Sequence, residues 1–372
     1  MAVEIKEVTS KREYKEFIYL PEKIHKEQKN WLPPLYFDEK KFFNPQKNLS
    51  FRNCEYTMKL AYKNGKLMGR IMGIINNQHN DLFKLKNARF SYIDSFNDPE
   101  VTHALISSIE DWARQKGMTK IIGPYGFTDR DIQGLLIKGF EYEPVIDSAT
   151  NPEYLPELVE REGYIKELDC VIHRCPINGD LPEIFQKIYD RVVTKKDFQF
   201  IEFTKHSQLK KYIVPVLRAV NESFGDVYGF MPMDEKEMFE LAKRYLPILD
   251  HRYVKLVSKG DRIVAFLVSM PNPYKGIQKS KGRLLPFGFI HILRAMKNSK
   301  TINTMLGGIT PDCQKQGLDI FLFMTTVNSA KKAGLTSIDT HVVMEENKDM
   351  MAETKRYGSF EIKRFRVYQK QL

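Results

Sequence analysis

The order of elements in the first half of the chain recurs in the second, and this duplication constrains the fold more than any single motif. In the first half, Tyr56 to Tyr62 and Leu67 to Ile75 alternate around the turn Asn64-Gly65, a hairpin signal. A strand at Ala88 to Ile93 and a helix from Pro99 to Gln115 follow. In the second half the same roles fall to Tyr253 to Ser258, a turn at Lys259-Gly260-Asp261, Ile263 to Met270, a strand at Thr301 to Ile309, and a helix from about Ile320 to Gly334. Each half then closes on an Asn, a helix, a Gly and a strand: Asn151 to Gly163-Tyr164, and Asn347 to Gly358-Ser359-Phe360. At 372 residues the chain accommodates two domains, expected at 1–178 and 179–372, each able to bury its own core.

The halves differ where an anion would bind. In Ile309-Thr-Pro-Asp-Cys-Gln314-Lys315-Gln316-Gly317-Leu318-Asp319 a strand runs into a glycine-bearing turn that opens a helix. The first amides of a helix lack intrahelical partners and the macrodipole is positive there, so a pyrophosphate can be held by backbone alone. Gly317 is expected to permit close approach, and Lys315 adds a mobile charge. The counterpart in the first half, Ser95-Phe-Asn97-Asp98-Pro99-Glu100, has Pro at the first helical position, no glycine, and carboxylates that suit the dipole themselves. The second domain is the candidate cofactor domain, and the first is structural or acceptor-binding.

The stretch at 314–319 resembles the acyl-CoA pyrophosphate loop of the GNAT superfamily of N-acyltransferases: Gln or Arg, two residues, Gly, one residue, then Gly or Ala. Gln314 and Gly317 match. Asp319 does not, and it is expected to turn onto its own helix as a cap. The closing order also resembles GNAT domains, which continue from the fifth strand to an Asn, a helix bearing a Tyr, a Gly-aromatic pair and two strands. Asn347 matches the Asn, which would bind the pantetheine amides or hold the chain end. The Tyr position is Thr354, so Tyr357 is the nearest phenol to protonate a departing thiolate. Segments Trp31 to Leu35, Gly69-Arg70-Ile71, Gly123-Pro124, Gly134 to Phe140, Gly282 to Pro286 and Glu345-Glu346-Asn347 resemble a group of uncharacterised bacterial GNAT-like proteins. The resemblance implies an α/β fold of two tandem GNAT-like domains, each a mostly antiparallel mixed sheet flanked by helices. It also implies acetyl-CoA or a longer acyl-CoA as acyl donor and a small primary amine as acceptor.

Such a reaction needs a base to strip the acceptor's ammonium. A strand from Ser337 to Met344 places His341 on one face with Asp339, Val343 and Glu345, so His341 and Glu345 are the candidates. A loop of about twenty residues after Gly123 carries Tyr125, Asp129, Arg130 and Asp131, which could line an acceptor pocket; the alternative is a packed loop with Thr128 or Asp129 as a cap. Residues 271–298 form an insertion, Lys-rich and then apolar, read here as a helix packed on the neighbouring domain, with a membrane surface or acyl chain as the alternative.

The net charge of +11 is concentrated in residues 183–372, with 32 Lys and Arg against 20 Asp and Glu. That fits a polyanionic ligand such as coenzyme A, with nucleic acid possible. A transferase using aminoacyl-tRNA and a non-catalytic binding protein are the rival readings. The four cysteines lack metal-ligand spacing and read as reduced thiols, so no metal is expected. No apolar run of about 18 residues and no leader-like segment is evident, and the expected location is cytoplasmic.

Overall fold

The computed structural model describes residues 2–225 and 230–372, with only the backbone of Arg244 and Tyr245. The first half comprises β1 (Glu4–Glu7), α1 (Lys11–Ile24), α2 (Tyr36–Phe42), β2 (Cys54–Lys63), β3 (Lys66–Asn76), α3 (Asn77–Phe83), β4 (Asn87–Ser95), α4 (Pro99–Gln115), β5 (Lys120–Gly123), β6 (Leu135–Lys138), α5 (Leu155–Arg161) and β7 (Ile165–Pro176). The second comprises α6 (Glu183–Val193), β8 (Gln199–Ile201), α7 (Ile213–Ser223), α8 (Glu235–Tyr245), β9 (Val254–Lys259), β10 (Arg262–Pro271), α9 (Tyr274–Lys279) and α10 (Gly288–Asn298). It continues through β11 (Thr301–Ile309), α11 (Leu318–Lys332), β12 (Ser337–Asp339), β13 (Val343–Met344), α12 (Lys348–Arg356) and β14 (Phe360–Gln371).

Local chemistry accounts for most of these elements. Asn64 and Gly65 both take positive φ (55° and 72°), as the tight turn between β2 and β3 requires. Pro99 opens α4, and the Asp98 side chain accepts from the amides of Glu100 and Val101, so the carboxylate occupies its own helix end as expected. Val101, Leu105 and Ile109 then recur at helical spacing and are fully buried against β3 and β4, each contributing about 1.5–3 kcal/mol.

The described strands form one mixed sheet, and its centre is where the two halves join. Each half ends on a single strand, β7 or β14, whereas the resemblance implied two. These lie antiparallel side by side, from Phe360 opposite Arg174 to Gln369 opposite Ile165. On its other edge β14, from the second half, pairs with β5 and β6 of the first. Correspondingly β7, from the first half, pairs with β12 and β13 of the second. Each half therefore completes its sheet with the other's last strand. Asp169, 1 % exposed on β7, is held by Arg366 at 2.9 and 3.1 Å and by Arg364 at 3.1 Å, both on β14.

Candidate functional site

Beside α11 the sheet opens. β11 pairs with β12 only from Thr301 to Asn303, opposite Ser337 to Asp339. Thr304 then closes the fork: its hydroxyl donates to Asp339 O (3.3 Å) and accepts from His341 N (2.9 Å). Beyond it the chain turns away to pair with β7 as β13, while β11 continues to Ile309 against β10 alone. Met305 to Ile309 are partly exposed and, among the described residues, have no strand along their second edge. A strand edge of this kind offers backbone donors and acceptors to an extended amide-bearing ligand. At the fork, Asn303 is fully buried and neither atom of its amide has a hydrogen-bond partner.

The unpaired edge leads into the loop at the start of α11. Pro311 to Cys313 make one tight turn, Lys315 and Gly317 take left-handed φ (58° and 83°), and α11 begins at Leu318 with no side chain on its first amides. Those amides are the donors an anion would use. Lys195, which follows α6, donates to Gln316 O at 3.1 Å and adds a cation at the loop. Nothing in the sequence pairs Lys195 with residues so far along the chain. Gln314 Nε2 reaches Ile309 O at 3.5 Å, and Gln316 Nε2 reaches Asp312 O at the same distance.

Two attributions in this loop change. A Cβ on Gly317 would lie 2.9 Å from Ile188 and 3.0 Å from Val192, so the missing side chain accommodates α6, not a phosphate. Asp319 does not cap α11; its carboxylate lies 3.4 Å from Arg356 on α12, which offsets its charge beside the loop.

The expected strand from Ser337 to Met344 is broken at 340–342, because His341 N is drawn to Thr304 across the fork. The alternation that grouped His341 with Asp339, Val343 and Glu345 is lost with it. Asp339 is bound bidentately by Arg174 (2.7 and 2.8 Å), and Glu345 by Lys166 and by Arg364 at 2.6 Å. Burial raises Glu345, but Lys166 and Arg364 outweigh it and hold the carboxyl below its usual range. A carboxylate so engaged is a poor base. His341 sits at the fork, and burial lowers its pKa to about 4, leaving the ring neutral at pH 7.

Tyr357 stacks on Phe323 at 3.9 Å with near-parallel rings and packs edge-on to Phe185; burial pushes its phenol far above 10. It belongs to the α6–α11 core and cannot swing to a thiolate without leaving it. Asn347 caps α12, accepting from Met350 N at 3.1 Å. Sequence reasoning passed over Glu353, one turn before Tyr357, which burial and the nearby Asp319 raise to about 7.

The loop residues proposed for an acceptor do not converge on a pocket. Arg130 donates to Met231 O at 2.7 Å and Asp129 accepts from Met231 N at 3.4 Å, so these two clasp the second half. Burial raises Asp129 to about 6. Asp131 accepts from Thr128 N at 3.1 Å and closes the turn, and Tyr125 is buried beneath the Arg89 guanidinium at 4.6 Å.

A second buried cluster went unrecognised in the sequence. Asp94 on β4 takes Arg70 Nε and His25 Nε2, each at 2.8 Å, and Trp31 stacks on the His25 ring at 5.1 Å. His25 Nδ1 faces Gln28 Oε1 at 2.6 Å, while the Gln28 amide nitrogen is spent on Asn151 O. Both ring nitrogens are thus engaged within the protein. The cluster ties α1 to β3, β4 and the segment at Asn151.

No family model matches the chain. It is 28 % identical over 377 residues to the bacterial ceramide synthase of Caulobacter vibrioides, with 98 % of this chain and 96 % of that protein covered. It is 24 % identical over 373 residues to protein YghO of Escherichia coli, covering 98 % and 94 %. Among solved structures, a tandem GNAT protein from the clavulanic acid biosynthesis pathway superposes with a TM-score of 0.56 at 10 % identity, covering 99 % of this chain and 98 % of that one. The glucosamine N-acetyltransferase region of a fungal β-N-acetylglucosaminidase superposes with a TM-score of 0.55 at 11 % identity, covering 99 % and 38 %.

Proposed function

We propose, for a chain whose fold is that of the tandem GNAT proteins, an N-acyltransferase that takes an acyl group from a coenzyme A thioester to a primary amine in its second half. One observation carries the reading: the unpaired edge of Met305 to Ile309 runs directly into the uncapped amides of α11, flanked by Lys195 and Lys315. An extended arm with peptide-like amides suits the edge, and its pyrophosphate suits the helix start. The buried, unpartnered amide of Asn303 lies at the closed end of the opening, where a polar group of the arm or a water would satisfy it. The relative named a ceramide synthase supports a reading of the acceptor: a ceramide is the amide of a fatty acid with a long-chain amino alcohol, which favours a long-chain thioester as donor and the amine of a lipid-like base as acceptor.

In the reaction the neutral amine attacks the thioester carbon, a C–N bond forms, the C–S bond breaks, and the thiolate leaves to take a proton. His341, neutral at pH 7 and seated at the fork, accepts the proton that the amine gives up. Its lowered pKa makes it a weak base, and it is preferred to Glu345 because, among the described residues, its ring is held in no ion pair. The cytoplasm, where acyl-CoA is found, is the proposed location.

The test is calorimetry with acetyl-CoA and palmitoyl-CoA, then mass spectrometry of products formed with long-chain amino alcohols. One thioester is expected per chain, since Asp98 fills the equivalent helix end in the first half. Lys195→Ala and Lys315→Ala should each weaken binding up to about tenfold, roughly 1.4 kcal/mol. Absence of binding by every thioester tried, or two equivalent sites, would overturn the assignment.

A further inference from the structure

We infer that the turn before α10, together with the outer stripe of α10, docks this protein on an anionic lipid bilayer. Leu285 is 80 % exposed, Phe287 65 %, Phe289 48 % and Leu293 59 %: four large apolar side chains in water within nine residues. Phe289 and Leu293 are one helical turn apart, so they share a stripe that the preceding turn extends with Leu285 and Phe287. Monomeric proteins seldom leave such a stripe bare unless it meets a partner.

Charge selects the partner. Residues 272–300 contain seven Lys and Arg and no Asp or Glu. Arg283 is paired with Glu22 and Lys275 with Glu143, but Lys279, Lys281, Arg294 and Lys297 have no ion-pair partner among the described residues. Aromatic and aliphatic side chains on one stripe with unpaired cations beside them suit an interface where tails receive the first and anionic headgroups the second. RNA bases could stack on Phe287 and Phe289 but offer nothing to the equally exposed Leu285 and Leu293, and the lack of carboxylates leaves a second copy of this face with only like charges to meet.

The surface is held rigidly. Tyr274 Oη and Gln278 Nε2 donate to Lys29 O at 3.0 and 2.7 Å, and Tyr36 N donates to Gly282 O at 3.0 Å. These bonds fix α9 to the first half, whereas the apolar segment expected to pack there is α10, whose outer stripe is exposed. α10 crosses α9 at Gly276, where a Cβ would meet Ile292 Cα at 2.4 Å, so its inner side is spent on α9 and the stripe with Phe289 and Leu293 faces outward. Among the described residues no helix is long and apolar enough to cross a membrane, so the attachment is peripheral. The inference stands without the acyl-transfer reading, because vesicle binding is measured without substrate.

The experiment is flotation of the full chain with vesicles of phosphatidylcholine alone or with about one third phosphatidylglycerol. Binding to the anionic vesicles is expected, with a loss of at least about fivefold at high salt and in Arg294→Ser/Lys297→Ser. Leu285→Ser/Phe287→Ser/Leu293→Ser should abolish binding while thermal unfolding and gel-filtration volume stay unchanged. In Phe287→Trp, brominated lipid should quench fluorescence beyond the level seen in wild type, whose tryptophans are Trp31 and Trp112. Failure of wild type to float with anionic vesicles, equal flotation of the triple variant, or a wild-type dimer that the triple variant dissociates would each overturn it.

Discussion

Gly317 illustrates how one residue can answer to two demands. Its φ of 83° is unfavourable for any side chain, and its Cβ position is occupied by Ile188 and Val192. Gly317→Ala should therefore cost about 2 kcal/mol in denaturant unfolding, from backbone strain and displaced packing together. A variant at this position cannot report on ligand approach alone. Glu353 gives a pH signature. Its pKa is raised to about 7, by burial first and then by Asp319 and Asp349 against Arg356, so the folded state resists an ionisation that the unfolded chain undergoes near 4.5. Stability is lost as pH rises from about 4.5 through 7. Glu353→Gln should leave stability unchanged at pH 4.5 and raise it by about 1 kcal/mol at pH 8, once solvent screening of a partly exposed group is allowed for. An equal effect at both pH values would show that the shift is not electrostatic.

At the scale of elements, α4 was legible from its Asp98 cap and apolar spacing, and α11 from apolar spacing up to Gly334, because these act within a few residues. The interruption after β12 was not: Ser337 to Met344 has a continuous strand composition, and Thr304, more than thirty residues away, breaks it by taking the amide of His341. β7 and β14 also read correctly as strands, but their partners did not. Asp169 is the device that holds their register, since a slip by one residue would bury it away from Arg364 and Arg366. Asp169→Ala should cost about 3 kcal/mol, because it takes the close carboxylate from Arg366 at the seam and leaves Arg364 with only Glu345 and Glu361. Asp169→Asn, which keeps hydrogen-bonding capacity, should cost less; a smaller loss for Ala than for Asn would contradict this role.

For the molecule as a whole, sharing β7 and β14 makes the two halves one unit. Neither sheet is complete without the other's strand, and Arg130 and Asp129 add a second tie at Met231. Unfolding should be a single transition by both circular dichroism and tryptophan fluorescence, with Trp31 and Trp112 reporting on the first half. Residues 1–178 expressed alone should aggregate through the bare edges of β5 and β7, and co-expression with 179–372 should restore solubility. A soluble, cooperatively folding first half would refute the shared sheet.

The sequence by itself determined the repeated order of elements and the contrast between Gln314-Lys-Gln-Gly317 and Asp98-Pro99-Glu100, because these rest on periodicity, turn chemistry and caps that operate between near neighbours, while the fold was implied by the resemblance of 314–319 and of the closing order. Tertiary structure alone decided that Tyr357 and Glu345 are engaged elsewhere, that Lys195 stands at the loop, that Asp319 meets Arg356, and that His25, Arg70 and Asp94 share one buried cluster. It also decided that α10 keeps its apolar stripe in water. These depend on which distant segments meet, and side-chain type carries no record of that until strands such as β14 and β5, more than two hundred residues apart, have paired.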